Sequence, residues 1–247
     1  MKQDEYQTPE EFNQSDDMAV FSKKLADTIF ETEIDLTLDI LQKPFDALAS
    51  GTVLENVPII KSIYAGVKNV IAIREWAFAK KLVHFLYEFS HGQFDEEKIH
   101  RHKERLRKPK YRDKVMEHVS TMLDKLISTY KARILARLYV AYINRHLEWV
   151  EFVDLSQCLD QLNTGAIQFL RELGSTNRWQ SPRTRRNEEH LLIACGIAFT
   201  QNEPYSVIGE FFMVNDLGRK LYIHGIANAT LDVEDNDEPE GAYLEDH

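Results

Sequence analysis

Glycine and proline are scarce in this 247-residue chain, at ten and seven residues. That is too few for the many turns of a sandwich or barrel, so helices are the expected framework. Cysteine is scarcer still. Cys158 and Cys195 cannot build a disulfide framework and lack CxxC or metal-type spacing. A reducing compartment is therefore expected, and their apolar neighbours predict buried, inert thiols. No Gly-rich phosphate loop, HExxH pair, GxSxG elbow or kinase motif set is present, which leaves the common nucleotide and hydrolase chemistries without a carrier. An enzyme with a dispersed site stays open as an alternative, because catalytic groups can converge from distant positions. The N-terminus has no basic stretch leading into an apolar one, so neither a secretory signal nor a presequence is read there, and a cytoplasmic location is expected. No internal repeat is evident.

What is present is uneven in charge. The formal net charge is −10, but residues 231–247 carry eight acidic side chains without a Lys or Arg, and residues 1–17 carry six against Lys2. Removing −8 and −5 leaves residues 18–230 at +3. A mildly basic body between acidic, solvated ends is the expected organisation.

Along the body, Ser15-Asp16-Asp17 predicts a cap for an amphipathic helix through Val20, Phe21, Leu25, Ile29, Phe30, Ile34, Leu38 and Leu41, ending near Pro44. Gly51 breaks the pattern, and Pro58 suits the first turn of a second helix reaching about residue 90. Residues 57–73 are the most apolar stretch, but Lys61, Lys68 and Asn69 interrupt it short of the roughly 18 to 20 residues of a membrane span. The simplest reading is a core helix. The sharper one is a helix that meets a membrane or partner through Ile59, Ile60, Ile63, Tyr64, Val67, Val70 and Ile71.

Residues 98–114 form the chief basic segment, with Lys98, Arg101, Lys103, Arg105, Arg107, Lys108, Lys110, Arg112 and Lys114. They are candidate contacts for phosphates or another anionic partner. Tyr111 is the only aromatic interleaved there, so base stacking is not expected from this segment. His100-x-His102, with His91 upstream, puts its imidazoles on different sides of a helix, so no metal is expected. From Asp113 to about Arg145 a helical period returns, with Lys125, Lys131, Arg133 and Arg137 predicted exposed, and a shorter helix follows from Trp149 to Leu162. Next come a short helix stopped by Gly174 and an Arg-rich loop with Arg178, Trp179, Arg183, Arg185 and Arg186. A helix from Asn187 to Gly196 leads into a hairpin broken near Gly209, and Asn215-Asp216 caps a last short helix. The four arginines are candidate anion contacts, while Glu188 and Glu189 would bring carboxylates towards any phosphate there.

The line Leu191-Leu192-Ile193-Ala194-Cys195-Gly196-Ile197-Ala198, followed by Phe212-Met213-Val214-Asn215-Asp216-Leu217-Gly218-Arg219-Lys220-Leu221, resembles bacterial winged helices. There, a helix ends in Gly-Leu-Ile and a strand delivers a Leu-Thr-x-x-Gly-x-x-Leu helix start; Asn215-Asp216 departs from that Leu-Thr pair but still supplies a cap. Over roughly residues 50–226 the layout resembles bacterial proteins of the abortive-infection alpha type, which implies a phage-defence setting rather than a particular reaction.

The expected fold is mainly α. A helical bundle over residues 15–155 is followed by a winged-helix-like α+β unit over 156–226, between a disordered acidic lead (1–14) and tail (227–247). The expected function is a non-enzymatic interaction protein, in phage defence or stress. Its winged unit would dock a macromolecule, and its apolar helix would mediate assembly with a second copy or peripheral membrane contact. A winged-helix DNA-binding regulator using Arg183, Arg185, Arg186 and the basic run is the alternative. No cofactor and no small-molecule substrate is expected.

Overall fold

A computed structural model describes residues 9–31, 72–202 and 209–227. Among them the chain is mainly helical, with one small antiparallel sheet near the C-terminus. The helices are α1 (Pro9–Phe30), α2 (Ala72–Ser90), α3 (Glu96–Leu106), α4 (Pro109–Lys125), α5 (Thr129–Ile143), α6 (Trp149–Gln161) and α7 (Thr164–Ser175). Strand β1 (Gln180–Pro182), α8 (Asn187–Ala194), β2 (Ala198–Asn202), β3 (Glu210–Val214) and α9 (Asp216–Leu221) follow, and a π-helical turn at Tyr222–Ile226 closes the described chain.

Helix α5 is the axis of the molecule. From Tyr130 to Ile143 every residue except Arg137 is buried. A helix apolar on all sides must be surrounded, and α2, α3, α6 and the π-helical turn pack against it. Helix α1 covers α4, where Leu25, Ala26 and Ile29 enter the core. One continuous core joins these helices to Leu192, Ile197, Phe212, Val214, Leu221 and Ile226 of the C-terminal segment.

Local signals set the element ends. Ser128, Asn163 and Asn215 accept hydrogen bonds from the first-turn amides of α5, α7 and α9. Pro109 opens α4, and Gly196 turns the chain out of α8 at φ 73°. The helical period read from Asp113 to Arg145 is therefore two helices, because Ser128 offers the backbone a new cap after Leu126. The first helix starts at Pro9, earlier than the Ser15 cap expected from sequence.

Several cations predicted to be exposed are buried. Lys131 and Arg133 are buried and Arg137 is partly so. Lys131 Nζ donates to the Asp160 carbonyl at 3.0 Å, at the end of α6, and Lys81 Nζ donates to the Asp124 and Leu126 carbonyls, each at 2.8 Å, at the end of α4. Each ammonium thus satisfies carbonyls that a helix C-terminus leaves unpaired and meets its negative dipole end. Arg133 and Arg137 grip opposite oxygens of Glu88 on α2, at 2.9 and 2.5 Å.

The sheet has the order β1-β3-β2, with both outer strands antiparallel to β3. Phe212 and Val214 point into the core, and Phe212 meets Phe169 of α7 at 5.9 Å between ring centroids. Gly218 lets α9 lie against the sheet: a Cβ there would stand 2.4 Å from the Ile197 carbonyl oxygen and 2.6 Å from Val214 Cγ1. Gly225 similarly admits Ile134 of α5, which ties the C-terminal segment to the central helix.

Candidate anion-binding groove

The basic segment folds as α3, a short break at Arg107 and Lys108, and the start of α4. Helical spacing puts Lys98, Arg101, His102 and Arg105 on one face of α3. They line a groove of about 160 Å³ together with Tyr142, Ile143, Arg145, Leu147, Glu148 and Trp149 from the end of α5 and the start of α6. Lys103, Arg107, Lys108 and Lys110 are exposed outside this lining. Arg107 pairs with Glu104 at 2.9 Å, and Arg112 with Asp113 at 3.0 Å.

The groove cations differ in how they are held. Lys98 reaches Asp95 at 3.4 Å and Arg101 pairs with Glu97, both in exposed geometry where such pairs contribute little and exchange readily. Arg105 lies 4.1 Å over the Tyr111 ring. Among the described residues neither Arg105 nor Arg145 has a carboxylate partner. Glu148 is the one carboxylate in the lining.

Arg145 holds a left-handed backbone at φ 60°, in the turn where His146 and Leu147 amides return to the Ala141 carbonyl. Glycine is the usual occupant of such a position past a helix end. An arginine there accepts strain and places its guanidinium beside the groove.

Beneath the groove runs a hydrogen-bonded chain of rings. His102 Nε2 meets the Tyr139 hydroxyl at 2.9 Å, His102 Nδ1 the Tyr111 hydroxyl at 3.4 Å, and Tyr111 the Tyr142 hydroxyl at 2.7 Å. Burial, with Arg105 adding to it, pushes the His102 imidazole down to about 4, so it is neutral at pH 7. Burial and then the Tyr142 hydrogen bond hold the Tyr111 phenol above its ordinary range, against the opposing pull of Arg105 and Arg145. Tyr139, fully buried, is likewise raised by burial. His102, Tyr111 and Tyr139 therefore lie uncharged beneath the groove. Trp149 packs on Tyr142 and Phe152 at 5.5 and 5.8 Å, with Lys114 Nζ 5.1 Å from its ring centroid.

The structure thus brings Tyr142 and Trp149 to the groove from elements far away in sequence, whereas Tyr111 is the one aromatic within the basic segment itself. Arg145, Tyr142 and Trp149 were not read as site residues. The signal available was an arginine two residues past a helix end, where glycine or asparagine is usual.

The arginines of the sheet unit do not converge in the same way. Arg183 pairs with Glu210 on β3 at 2.5 Å, and Arg185, exposed and itself at φ 58°, approaches the same carboxylate at 4.0 Å. Arg186 lies 5.5 Å from the Phe169 ring, while Arg178 is exposed. Glu189 is buried and accepts from the Thr184 and Arg185 amides and the Thr184 hydroxyl. Its carboxylate fastens the loop before α8 instead of facing a phosphate, as the sequence had implied.

Two other polar constellations carry no chemistry. His118 Nε2 lies 2.7 Å from Ser156 Oγ, the distance of a nucleophile and its base. Ser156 is fully buried and donates to the Val153 carbonyl at 2.9 Å, so its oxygen can neither reach a substrate nor pass its proton to His118. His91, exposed, bonds the Tyr87 carbonyl at 2.8 Å, and His100 is exposed while His102 is buried, so the three do not meet. Among the described residues no cluster of three or more His, Cys, Asp or Glu could hold a metal ion.

Ile59, Ile60, Ile63, Tyr64, Val67, Val70 and Ile71 lie outside the described residues. Among those described, no helix is long and apolar enough to cross a membrane. No family model, curated protein or solved structure matches the chain.

Proposed function

We propose that this chain is a non-enzymatic binding protein that takes the backbone of a single-stranded nucleic acid into the groove between α3 and the α5–α6 turn. The observation that carries the reading is the pairing of Arg105 and Arg145, both without a carboxylate partner among the described residues, beside Tyr142 and Trp149. Guanidinium forks match phosphate oxygens and hold their charge at any physiological pH. The half-buried Trp149 ring next to them offers a surface to a splayed base, which a single strand presents and a closed duplex does not. The groove volume of about 160 Å³ is smaller than the roughly 300 Å³ at which pockets begin to enclose a small ligand. A polymer passing across it fits better than a free metabolite. The left-handed Arg145 supports the same reading, since backbone strain tends to persist where a side chain has a task.

The sheet unit fits a winged-helix-like module, on the strand order β1-β3-β2 and the placement of α8 immediately before the β2–β3 pair. Arg178, Arg185, Arg186 and Arg219 are its exposed arginines among the described residues. Helix α8 opens with Asn187-Glu188-Glu189 and carries no Lys or Arg, so it is not the reading element. The abortive-infection resemblance lends the proposal a phage-defence setting.

The test is fluorescence polarisation of a labelled single-stranded oligonucleotide titrated with the full chain, beside a duplex of the same sequence and anionic phosphatidylserine vesicles. Replacing Arg105 and Arg145 together by Glu is expected to weaken single-strand binding by tenfold or more, roughly the loss of one to two good phosphate contacts, with the melting temperature retained. Equal binding by the folded double variant, or no oligonucleotide binding by the parent, overturns the proposal. Vesicle binding without oligonucleotide binding moves the function to a membrane surface.

A further inference from the structure

Helix α6 starts at the groove and carries, near its other end, a pair of sulfurs that the binding reading does not use. Cys158 is buried on α6, and Cys195 is half-buried at the C-cap of α8. Cys195 Sγ stands 3.9 Å from the Cys158 carbonyl oxygen and 3.8 Å from Gln161 Oε1, so its side chain lies against the last turn of α6. The Cys195 side chain thus packs against residue 158, and the buried ammonium of Lys131, anchored at 3.0 Å on the Asp160 carbonyl, favours charge on both sulfurs.

The pair is asymmetric. Its side-chain interaction with Cys195, and then burial, raise the Cys158 thiol. The same interaction lowers the Cys195 thiol, and Lys131 assists against partial burial. A half-buried sulfur that packs against a residue bearing a second, buried thiol has the placement of a redox-responsive cysteine beside its resolving partner. The expectation of two buried thiols therefore holds for Cys158 and not for the half-buried Cys195.

We propose that Cys158 and Cys195 form a peroxide-sensitive pair, with Cys195 the attacked sulfur and Cys158 the resolving one, closing a disulfide that fastens α8 of the sheet unit to α6 of the helical body. In the first step the Cys195 thiolate attacks one oxygen of hydrogen peroxide. An S–O bond forms, the O–O bond breaks and hydroxide leaves, so sulfur is oxidised to a sulfenic acid and peroxide is reduced. In the second step Cys158 gives up its proton and attacks the Cys195 sulfur. The S–S bond forms as the S–O bond breaks, and the departing hydroxide takes the proton as water. Two thiols and one peroxide thus give one disulfide and two waters. Burial of Cys158 directs the bond within the chain and not between chains.

The experiment treats the full chain with hydrogen peroxide, alkylates the remaining thiols and measures intact and digested mass. The expected result is loss of two hydrogens, a linked Cys158–Cys195 peptide pair and reversal by dithiothreitol. Cys158→Ser should accumulate a dimedone-reactive sulfenic acid on Cys195, and Cys195→Ser should leave Cys158 unoxidised, each with a cooperative melt. Absence of the linked peptide in the peroxide-treated parent, a sulfenic acid trapped on Cys158, or oxidation only to cross-linked dimers would each overturn the proposal. The linked-peptide measurement needs no variant, so failure of a serine variant to fold leaves it decisive.

Discussion

Replacing Arg145 by glycine separates the groove's contribution to binding from its effect on folding. In the left-handed region, at φ 60°, a side-chain-bearing residue costs about 1–2 kcal/mol that glycine avoids. Glycine's freer unfolded chain takes back about 0.5–1 kcal/mol, and the lost positive charge at the end of α5 a few tenths more. The net effect on stability is between about zero and 1 kcal/mol in favour of the variant, a rise in melting temperature of at most about 4 °C for a domain of this size. Binding should move the other way. If Lys98, Arg101, Arg105 and Arg145 each neutralise one phosphate of a single strand, the slope of log K against log salt is about −2.8, and raising salt from about 50 to 200 mM weakens binding about 50-fold. Arg145→Gly leaves three contacts, a slope of about −2.1 and a loss of about 20-fold over the same range. Polarisation titrations at four or five salt concentrations, beside thermal melts, measure both quantities. A variant with an unchanged salt slope, or one whose weaker binding accompanies a lower melting temperature, would refute the reasoning.

Three further outcomes follow from the core. His102, held neutral at about 4 in the folded state, takes up a proton on unfolding between pH 4 and its ordinary 6.5. Its contribution is full above pH 6.5 and is lost as pH falls through that window, on the order of 3 kcal/mol at most, and denaturation midpoints of His102→Gln should fall less than the parent's between pH 6.5 and 4. Glu88→Gln removes the carboxylate that Arg133 and Arg137 share in the α2–α5 contact, and urea unfolding should show a loss of about 3–5 kcal/mol. Gly218→Ala drives a methyl into the Ile197 carbonyl and Val214, with an expected cost of about 1–3 kcal/mol; a melting temperature equal to the parent's would contradict the close packing of α9 on the sheet.

Much of the helical framework was legible because its signals are local. Asn215 does cap α9, Gly196 does end α8, and the β-prone residues on either side of Gly209 do pair as β2 and β3. Strand β1 was not legible. Gln180-Ser181-Pro182 has little strand propensity and is extended because β3 offers it an edge, where Pro182 is tolerated. The buried Lys131 and Arg133 were read as surface charges, since nothing in a single helix announces that a carbonyl end or Glu88 will meet them from another.

The basic run was visible as composition, but only the face carrying Lys98, Arg101 and Arg105 became a groove, and folding selected that face through its contact with α5. Arg145 and Trp149 complete it from more than 40 residues beyond Arg101. Such a site is an outcome of topology, which one-dimensional spacing does not encode.

The most direct test of the groove as a nucleic-acid site is ultraviolet cross-linking of a 4-thiouridine-substituted single strand to the full chain, with the modified residues located by mass spectrometry. Cross-links at Trp149, lost in the folded Arg105→Glu/Arg145→Glu variant, are the predicted result. Cross-links confined to the sheet unit around Arg178 and Arg185, or none at saturating oligonucleotide, would contradict it.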